Sequence, residues 1–297
     1  MNKLRISDHT FGKILSLPPF FFLFLLICYP LYHLIYCSLH QINPVRPFKF
    51  VWFENYVFLF NQPLFHRIVL NTIIYAALVT SLTMSIALIV ALCLNNIKKL
   101  SSIFRTIVIL PWATPLVLSG FVIAWIFNPT YGIFNYILQS LGFQPINIYS
   151  SADLMIFVAA LADTWTRIPL ACLIILAELQ NIPIHLYESA KIDGASSFAI
   201  FRHIVLPLIF HSILFSSFLT FLFSFRTPDV FLSLAPGGGP GRSGMVLGQY
   251  LYEEFLYGNI GLSSTIGVVI LISCCILGTG YIVAYETYYQ KLVGRGS

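Results

Sequence analysis

The chain has 297 residues, of which 58% are hydrophobic, 16% aromatic and only 9% charged, and its mean hydropathy is +0.85. A soluble domain of this composition would leave large apolar areas facing water. In a lipid bilayer, by contrast, about 20 apolar residues make one crossing of the hydrocarbon core. The composition therefore excludes a soluble domain and indicates a membrane protein with several crossings.

Long apolar segments follow one another along the chain. They predict six transmembrane helices near residues 16–38, 69–94, 104–127, 154–177, 204–225 and 262–285. Helices are favoured over barrel strands because the runs are long and lack a two-residue alternation. Pro111 and Pro115 predict a kink in the third helix. We interpret residues 1–297 as one all-α transmembrane domain whose first segment is a retained anchor and not a cleaved signal peptide.

The distribution of Lys and Arg predicts the orientation in the membrane. An N-terminus on the inside places ten basic residues in the cytoplasm: Lys3, Arg5, Lys13, Lys98, Lys99, Arg105, Lys191, Arg202, Lys291 and Arg295. Five lie outside, namely Arg46, Lys49, Arg67, Arg226 and Arg242, and Arg167 alone lies at membrane depth. Both termini of this multi-pass inner (plasma) membrane protein are then cytoplasmic. The net charge of +5 needs no nucleic-acid partner.

The remaining composition points to neither a disulfide nor a metal centre. The six cysteines lie within or beside apolar segments and show no CxxC or His-paired spacing, so we interpret them as small hydrophobic residues. The segment from Pro236 to Gly241 has the sequence Pro-Gly-Gly-Gly-Pro-Gly, which cannot be regular helix. It predicts a flexible external loop.

One polar segment interrupts the apolar pattern, with five charges between Glu178 and Arg202 arranged around Gly194. Residues 184–192 can form a short helix that ends at Gly194, and Ser196 or Ser197 can cap a second short helix. Such an elbow would present apolar residues with charges at their rim: Tyr187, Ala190, Phe198 and Phe201 with Glu188 and Lys191. This amphipathic surface is suited to a groove of another protein, whereas a solvated connecting loop would not need it.

The polar segment resembles the EAA loop of ABC-transporter permeases, whose pattern is Glu-Ala-Ala-x-x-Asp-Gly-Ala followed by Phe and Leu-Pro-Leu. The corresponding residues are Glu188-Ser189-Ala190, Asp193-Gly194-Ala195, Phe201 and Leu206-Pro207-Leu208, with Ser189 in place of Ala. Other motifs are similar to those of the carbohydrate-type permeases of the maltose importer class: Asn55-Tyr56, Asn71-Thr72, Phe104-Arg105-Thr106, Leu110-Pro111-Trp112, Ile182-Pro183 and Gly238-Gly239-Pro240.

The resemblance implies a type I importer permease fold and a division of labour between subunits. The loop, at about 179–207, would dock into a cytoplasmic ATPase subunit through Glu188, Ala190, Asp193, Gly194, Ala195, Phe198, Phe201 and Pro207. The implied partners are two ATP-binding subunits, a second and distinct permease subunit, and an external solute-binding protein. The chain has no Gly-x-x-x-x-Gly-Lys-Ser/Thr loop for phosphates. We therefore expect it to be no enzyme and to bind no cofactor, with ATP and Mg used by the partners.

Polar residues within the apolar segments are candidates for the path of the solute. Asp163 and Arg167 are four residues apart and share one helix face. Thr220, Ser224 and Thr227 form a stripe on the next helix. By spacing from the loop, both sets are similar to the sugar-contacting positions of maltose-type permeases, and Trp112, Trp125 and Trp165 offer aromatic faces. The alternatives are a structural Asp–Arg couple and helix–helix hydrogen bonding.

The resulting hypothesis is a permease subunit for uptake of a sugar or sugar-like solute, and the charges leave open an anionic one with Arg167 as its counter-charge. A stand-alone secondary transporter or channel is the alternative, although the sequence shows no internal repeat. An intramembrane serine protease, suggested by the Gly-x-Ser-Gly string at Gly241–Gly244, would need a histidine beside Ser243 within the membrane. His203 and His211 are predicted near the opposite face.

Overall fold

The computed structural model describes residues 8–45, 47–97 and 101–293. Five helices in this part of the chain are long and apolar enough to cross a membrane: Leu15–Ser38, Pro63–Asn96, Ala152–Asn181, Ser197–Arg226 and Ile260–Thr287. A bent pair, Ile103–Ala113 with Leu116–Ile126, makes a sixth if it is counted as one span. The predicted all-α membrane fold is confirmed, and each of the six predicted segments coincides with one of these units.

The helices have the following bounds in chain order: α1 Asp8–Ser38, α2 Glu54–Phe60, α3 Pro63–Asn96, α4 Ser101–Ile109, α5 Leu116–Ile126, α6 Ile133–Ser140, α7 Ala152–Asn181, α8 Ile184–Ile192, α9 Ser197–Ile200, α10 Leu206–Arg226, α11 Asp229–Leu234, α12 Leu247–Leu256 and α13 Ile260–Val293. A short antiparallel ladder pairs β1 (His40–Gln41) with β2 (Lys49–Phe50). The short helices α2, α6, α11 and α12 lie between the spans and were not predicted from the sequence.

The kink predicted for the third span is confirmed as a bend of 90°. A 3-10 turn, Leu110–Ala113, continues α4, and Thr114 then takes an extended conformation with ψ 124°. The cause is Pro115, because the proline ring disfavours the helical conformation of the residue before it. Beyond the bend, α5 packs against α7 and α11, where Gly120 leaves room for Ser233 of α11.

The centre of the fold is a close pair of helices, α3 and α7, and α10 packs against both. Small buried residues line the contact on both helices: Ala87 and Ala91 on α3, and Ala159, Ala160 and Ala171 on α7. Small side chains let helix backbones approach closely, which is the usual source of helix–helix affinity in lipid. The three helices therefore form one packed block.

The segment after α10 folds back into this block. Gly237, Gly238, Gly239 and Gly241 all have positive φ, as expected for a sequence that cannot continue a helix. The segment is nevertheless held in place, because Asn71 Nδ2 of α3 donates to the carbonyls of Ser243 (2.7 Å) and Met245 (3.0 Å). The backbone N–H of Leu247 donates to Thr72 Oγ1 at 2.9 Å. The Asn71-Thr72 pair and the buried Met245 thus anchor the residues that follow Pro236–Gly241, and the flexibility expected for that segment itself stays a prediction.

We predict that Asn71→Ala lowers the free energy of unfolding by about 1–3 kcal/mol, because two buried carbonyls lose their donor. Chemical denaturation of the purified protein in mixed micelles measures this. The matched control is Asn96→Ala on the same helix, whose exposed amide bonds only to Leu92 O of its own helix. That control should stay within about 0.5 kcal/mol of wild type. Equal effects of the two substitutions would contradict the anchoring role of Asn71.

Candidate translocation site and coupling loop

Asp163 is the centre of a hydrogen-bonded cluster that joins three helices. Its side chain is fully buried. Oδ2 accepts hydrogen bonds from Tyr75 Oη of α3 (3.0 Å) and from Ser224 Oγ of α10 (2.7 Å). Oδ1 accepts from Arg167 Nε of the same helix at 2.8 Å. Asp163 lies near the middle of α7, so the cluster ties α3, α7 and α10 together at mid-depth.

The sequence left two interpretations open for Asp163 and Arg167, a structural couple and a site on the path of the solute. The contacts of the two residues support a different interpretation for each. Both carboxylate oxygens of Asp163 are engaged within the helix block, which is the geometry of a structural link. Arg167 uses only Nε in this link, and its Nη2 is buried with no hydrogen-bond partner among the described residues. Because a guanidinium has five N–H donors, Arg167 keeps donors for another group.

The hydroxyl stripe on α10 differs in part from the predicted one. Ser212, Ser216, Thr220 and Ser224 repeat every four residues and are all buried. Thr227 lies beyond the last turn of α10 and donates to Phe223 O at 2.7 Å. The stripe therefore lies on the buried face of α10 and extends toward the N-terminal end of that helix. Ser212 and Ser216 were missed, although their four-residue spacing from Thr220 is visible in the sequence.

Arg226 and Arg167 both lie beside the ring of Phe223. The Cζ atom of Arg226 lies 5.2 Å from the centroid of the Phe223 ring, and the Cζ atom of Arg167 lies 5.4 Å from the same centroid. Ser224, two residues before Arg226, bonds to Asp163 at mid-depth. Arg226 is the last residue of α10 and its side chain is exposed, so the external position predicted for it stays a prediction.

The three tryptophans predicted to offer aromatic faces are largely accessible. Trp112 lies in the 3-10 turn at the bend and is 62% exposed, Trp125 lies near the end of α5, and Trp165 lies on α7. Among the described residues, Trp112 makes no hydrogen bond with Asp163. Trp112 therefore remains a candidate for the path by its position at the bend, which packs against α7.

The polar loop forms the predicted helix–Gly–helix elbow. Gly194 follows α8 with φ +76°, and a Cβ at this position would meet nothing within 4 Å. The N–H of Ala195 donates to Ala190 O at 2.9 Å and that of Gly194 to Lys191 O at 3.1 Å, which closes α8 as a Schellman motif. Ser196 Oγ accepts from Ala199 N at 3.2 Å and caps α9.

The apolar residues of the elbow are divided between two faces. Tyr187, Ala190, Ala195 and Phe201 pack inward against the cluster formed by the C-terminal ends of α3 and α7. Burial raises the pKa of the Tyr187 hydroxyl. The prediction that Tyr187, Ala190 and Phe201 are presented outward is therefore wrong. The outward apolar residues are Ile184, Ile192 and Phe198, at 73%, 86% and 68% exposure, together with the exposed charges Glu188, Lys191 and Asp193.

The second arm of the elbow is continuous with α10. A π-helical turn, Phe201–Val205, joins α9 to α10, so that Ser197–Arg226 is one unbroken span. Pro207 follows this turn directly, and proline cannot supply the N–H that a regular helix would bond to His203. A helix of 30 residues thus connects the elbow to the Asp163 cluster.

A polar cavity of about 670 Å³ opens at the opposite end of the block. Its walls include Glu54, Gln62 and Tyr250, and Arg242 closes one side. Arg242 contacts the carboxylates of Glu253 (3.6 Å) and Glu254 (3.5 Å). Burial acts to lower the pKa of Arg242, but the attraction of these carboxylates outweighs it and the pKa is raised. The cavity is thus a preformed polar surface at this end of the fold.

Comparison with known proteins identifies the family. Residues 83–287 match the model of the binding-protein-dependent transport system inner membrane component. The chain is 31% identical to a sulfoquinovosyl glycerol transport system permease protein of Agrobacterium fabrum, over 92% of this chain and 90% of that protein. It is 32% identical to a trehalose/maltose transport system permease protein of Thermococcus litoralis, over 90% of this chain and 91% of that protein.

A solved structure has the same fold. A bacterial ABC transporter involved in the import of the acidic polysaccharide alginate contains a chain that superimposes with a TM-score of 0.78 at 20% identity, over 95% of this chain and 96% of that one. The chain therefore belongs to the family of binding-protein-dependent inner membrane transport components. It is a multi-pass permease subunit of an ATP-binding-cassette importer, a class in which separate subunits hydrolyse ATP. This family supports the importer hypothesis and not the stand-alone transporter.

We predict that Asp163→Leu lowers the free energy of unfolding by about 3–5 kcal/mol, because it leaves the buried Arg167 charge without its partner. The double variant Asp163→Leu/Arg167→Leu should be more stable than this single variant, since no unpaired charge remains. Denaturation in mixed micelles measures both. Asp153→Leu is the control, because the Asp153 side chain is 85% exposed and its contact with Arg67 is long, at 3.8 Å. If the single and double variants were equally unstable, the ion pair would not be the stabilising element.

Proposed function

We propose that this chain forms one half of the path for a sugar or sugar-like solute, which an external solute-binding protein delivers. A second, distinct permease subunit completes the path, and two cytoplasmic subunits hydrolyse ATP with Mg. The chain itself binds no cofactor and acts as one domain over residues 1–297. The observation that carries this proposal is the exposed α8–Gly194–α9 elbow, which the Ser197–Arg226 helix connects to the Asp163 cluster.

The chemistry of the elbow supports docking to an ATPase subunit. Ile184, Ile192 and Phe198 are apolar side chains that stay largely exposed on the loop, and Glu188 lies beside them. An exposed apolar group rimmed by charges fits a groove with a complementary basic residue. The inward face, formed by Tyr187 and Phe201 among others, packs on the α3–α7 block. Movement of the ATPase subunits that contact the exposed side of the elbow would therefore move the whole block.

The basic residues support an orientation with cytoplasmic termini. Lys191 and Arg202 lie in the elbow, on the side where the positive-inside rule places most Lys and Arg. Of the other residues in this argument, Lys3, Arg5, Lys98, Lys99 and Arg295 lie outside the described residues. The polar cavity beside Arg242 then faces outward, where it is available to the solute-binding protein.

The sugar class is supported by the relatives and by the side chains at the path. The two relatives described above are named as permease proteins of transport systems for sulfoquinovosyl glycerol and for trehalose/maltose. Thr220, Thr227 and Arg167 offer hydroxyl and guanidinium groups, and Trp112 and Trp165 offer exposed aromatic faces. Hydroxyls and aromatic faces together suit a sugar. Binding of a panel of sugars to the cognate solute-binding protein tests the class, and a protein that binds only amino acids or metal ions would contradict it.

We predict that Gly194→Val abolishes coupling. Valine is strongly disfavoured at φ +76°, so the elbow must change its angle. ATP-driven uptake by the complete complex in proteoliposomes should fall by about tenfold or more, whereas membrane insertion is unchanged, because nothing packs on the position. Gly194→Asn is the control, since asparagine tolerates this conformation, and it should retain most of the uptake.

Glu188→Lys tests the outer face of the same elbow. The exposed Glu188 carboxylate makes no ion pair among the described residues, so its reversal leaves the fold intact. We expect uptake to fall and ATP hydrolysis to lose its dependence on the loaded solute-binding protein. Lys49→Glu, an exposed charge reversal on β2, is the control and should transport normally. Wild-type uptake by both Gly194→Val and Glu188→Lys would refute the coupling role.

A further inference from the structure

The guanidinium groups of Arg167 and Arg226 lie at the ring of Phe223, close to the end of the Ser197–Arg226 membrane span, where an uncompensated charge is expensive. Arginine stays protonated in proteins, and a charged side chain at mid-depth faces a cavity, a counter-charge or a backbone acceptor. Asp163 compensates Arg167 through Nε. Among the described residues, no carboxylate lies within ion-pair distance of Arg226, and its side chain is exposed. Arg226 therefore carries a charge for which this chain supplies no partner.

The last turn of α10 holds Arg226 in place without occupying its donors. Arg226 is the final residue of α10, where the negative end of the helix dipole favours a cation. Its guanidinium lies over the Phe223 ring at 5.2 Å, a contact that uses the face of the aromatic ring and not a hydrogen-bond acceptor. Asp229, three residues later, begins α11 and makes no ion pair with it. The N–H groups of Arg226 thus remain available.

Arg226 and Arg167 both contact the ring of Phe223. The two Cζ atoms lie 5.2 and 5.4 Å from the same ring centroid, so their separation cannot exceed the sum of these distances. Arg167 Nη2 is buried and has no acceptor among the described residues. Thr227 and Thr220 lie on the same side of α10 as Phe223 and add hydroxyls. Two planar forks with free donors are suited to the oxygens of a phosphate, sulfonate or carboxylate group.

We propose that Arg226, together with Arg167 across Phe223, binds the oxyanion group of an anionic glycoside during its passage. This inference rests on the proposed function and narrows it from sugars in general to sugars that carry a negative charge. Asp163 orients Arg167 through Nε and leaves its terminal amino groups for the anion. Arg226 is the specificity-determining residue, because it contributes charge but has no ion pair within the chain. A neutral sugar would leave both sets of donors without an anionic partner.

The first part of the test is a binding assay with the cognate solute-binding protein. The probes are matched pairs that differ only in charge: glucose with glucuronate and with glucose 6-phosphate, and glycerol with glycerol 3-phosphate. Binding of at least one anionic member in preference to its neutral partner is the expected result, and the two kinds of probe distinguish a carboxylate from a phosphate. Binding of neutral members alone, or of no anionic member, would overturn the inference.

The second part uses the complete importer in proteoliposomes and the preferred anionic probe. We expect Arg226→Gln to lower uptake by about tenfold or more, and Arg226→Lys to recover part of it, because lysine keeps the charge but not the fork. Stimulation of ATP hydrolysis by the loaded solute-binding protein should stay within about twofold of wild type, since Arg226 has no structural ion pair. Arg67→Gln, which removes a half-exposed arginine 3.8 Å from Asp153, is the control and should transport normally.

The outcomes separate this inference from the proposed function. Unchanged uptake by Arg226→Gln would overturn the inference while the importer itself works. Loss of ATPase stimulation together with uptake would also overturn it, because Arg226 would then hold the complex together, for example against an acidic residue of the second permease subunit. A wild-type complex that transports no member of the panel and shows no stimulation would overturn both.

Discussion

The structure depends on one buried carboxylate. Asp163 has no exposed surface, and all of its hydrogen bonds go to groups on the three helices of the block. Removing a carboxylate from water is costly, and charge-assisted hydrogen bonds offset the cost only when their geometry is good. Lipid-embedded helices gain little from the hydrophobic effect when they associate, so such a cluster fixes their register. The close α3–α7 contact and the packing of α10 against both helices are consistent with this single constraint.

The same constraint connects the two ends of the functional path. The elbow around Gly194 packs its inner face on α3 and α7, and its second arm is continuous with α10. At the other end of α10, Ser224 bonds to Asp163 and Phe223 carries the two guanidinium groups. We therefore expect a displacement of the elbow to be transmitted through the block to the polar residues around Asp163. We expect the block to move as a rigid unit relative to the proposed second permease subunit.

Much of this could be predicted from the sequence, because long apolar runs and turn residues are local signals. The spans, the bend at Pro115 and the elbow at Gly194 all follow from such signals. The Asp163 cluster could be predicted only in part. The i,i+4 pairing with Arg167 is local, but the contact with Tyr75 depends on the register of two helices far apart in the chain. The proximity of Arg226 and Arg167 at the Phe223 ring could not be predicted either, because it depends on how α7 and α10 pack against each other.

The rigid connection between the elbow and the Asp163 cluster is the central claim. It is tested most directly by the distance between spin labels at Phe198 on α9 and Phe157 on α7, two exposed positions on opposite sides of the cluster. The labels would be attached in a background with the six native cysteines replaced and measured in the complete importer, without nucleotide and with ATP bound. The account predicts that this distance is the same in both states, while the distance from Phe198 to the second permease subunit changes. A shift of several ångströms between Phe198 and Phe157 would contradict the account, because the π-helical turn or the Gly194 elbow would then act as a hinge.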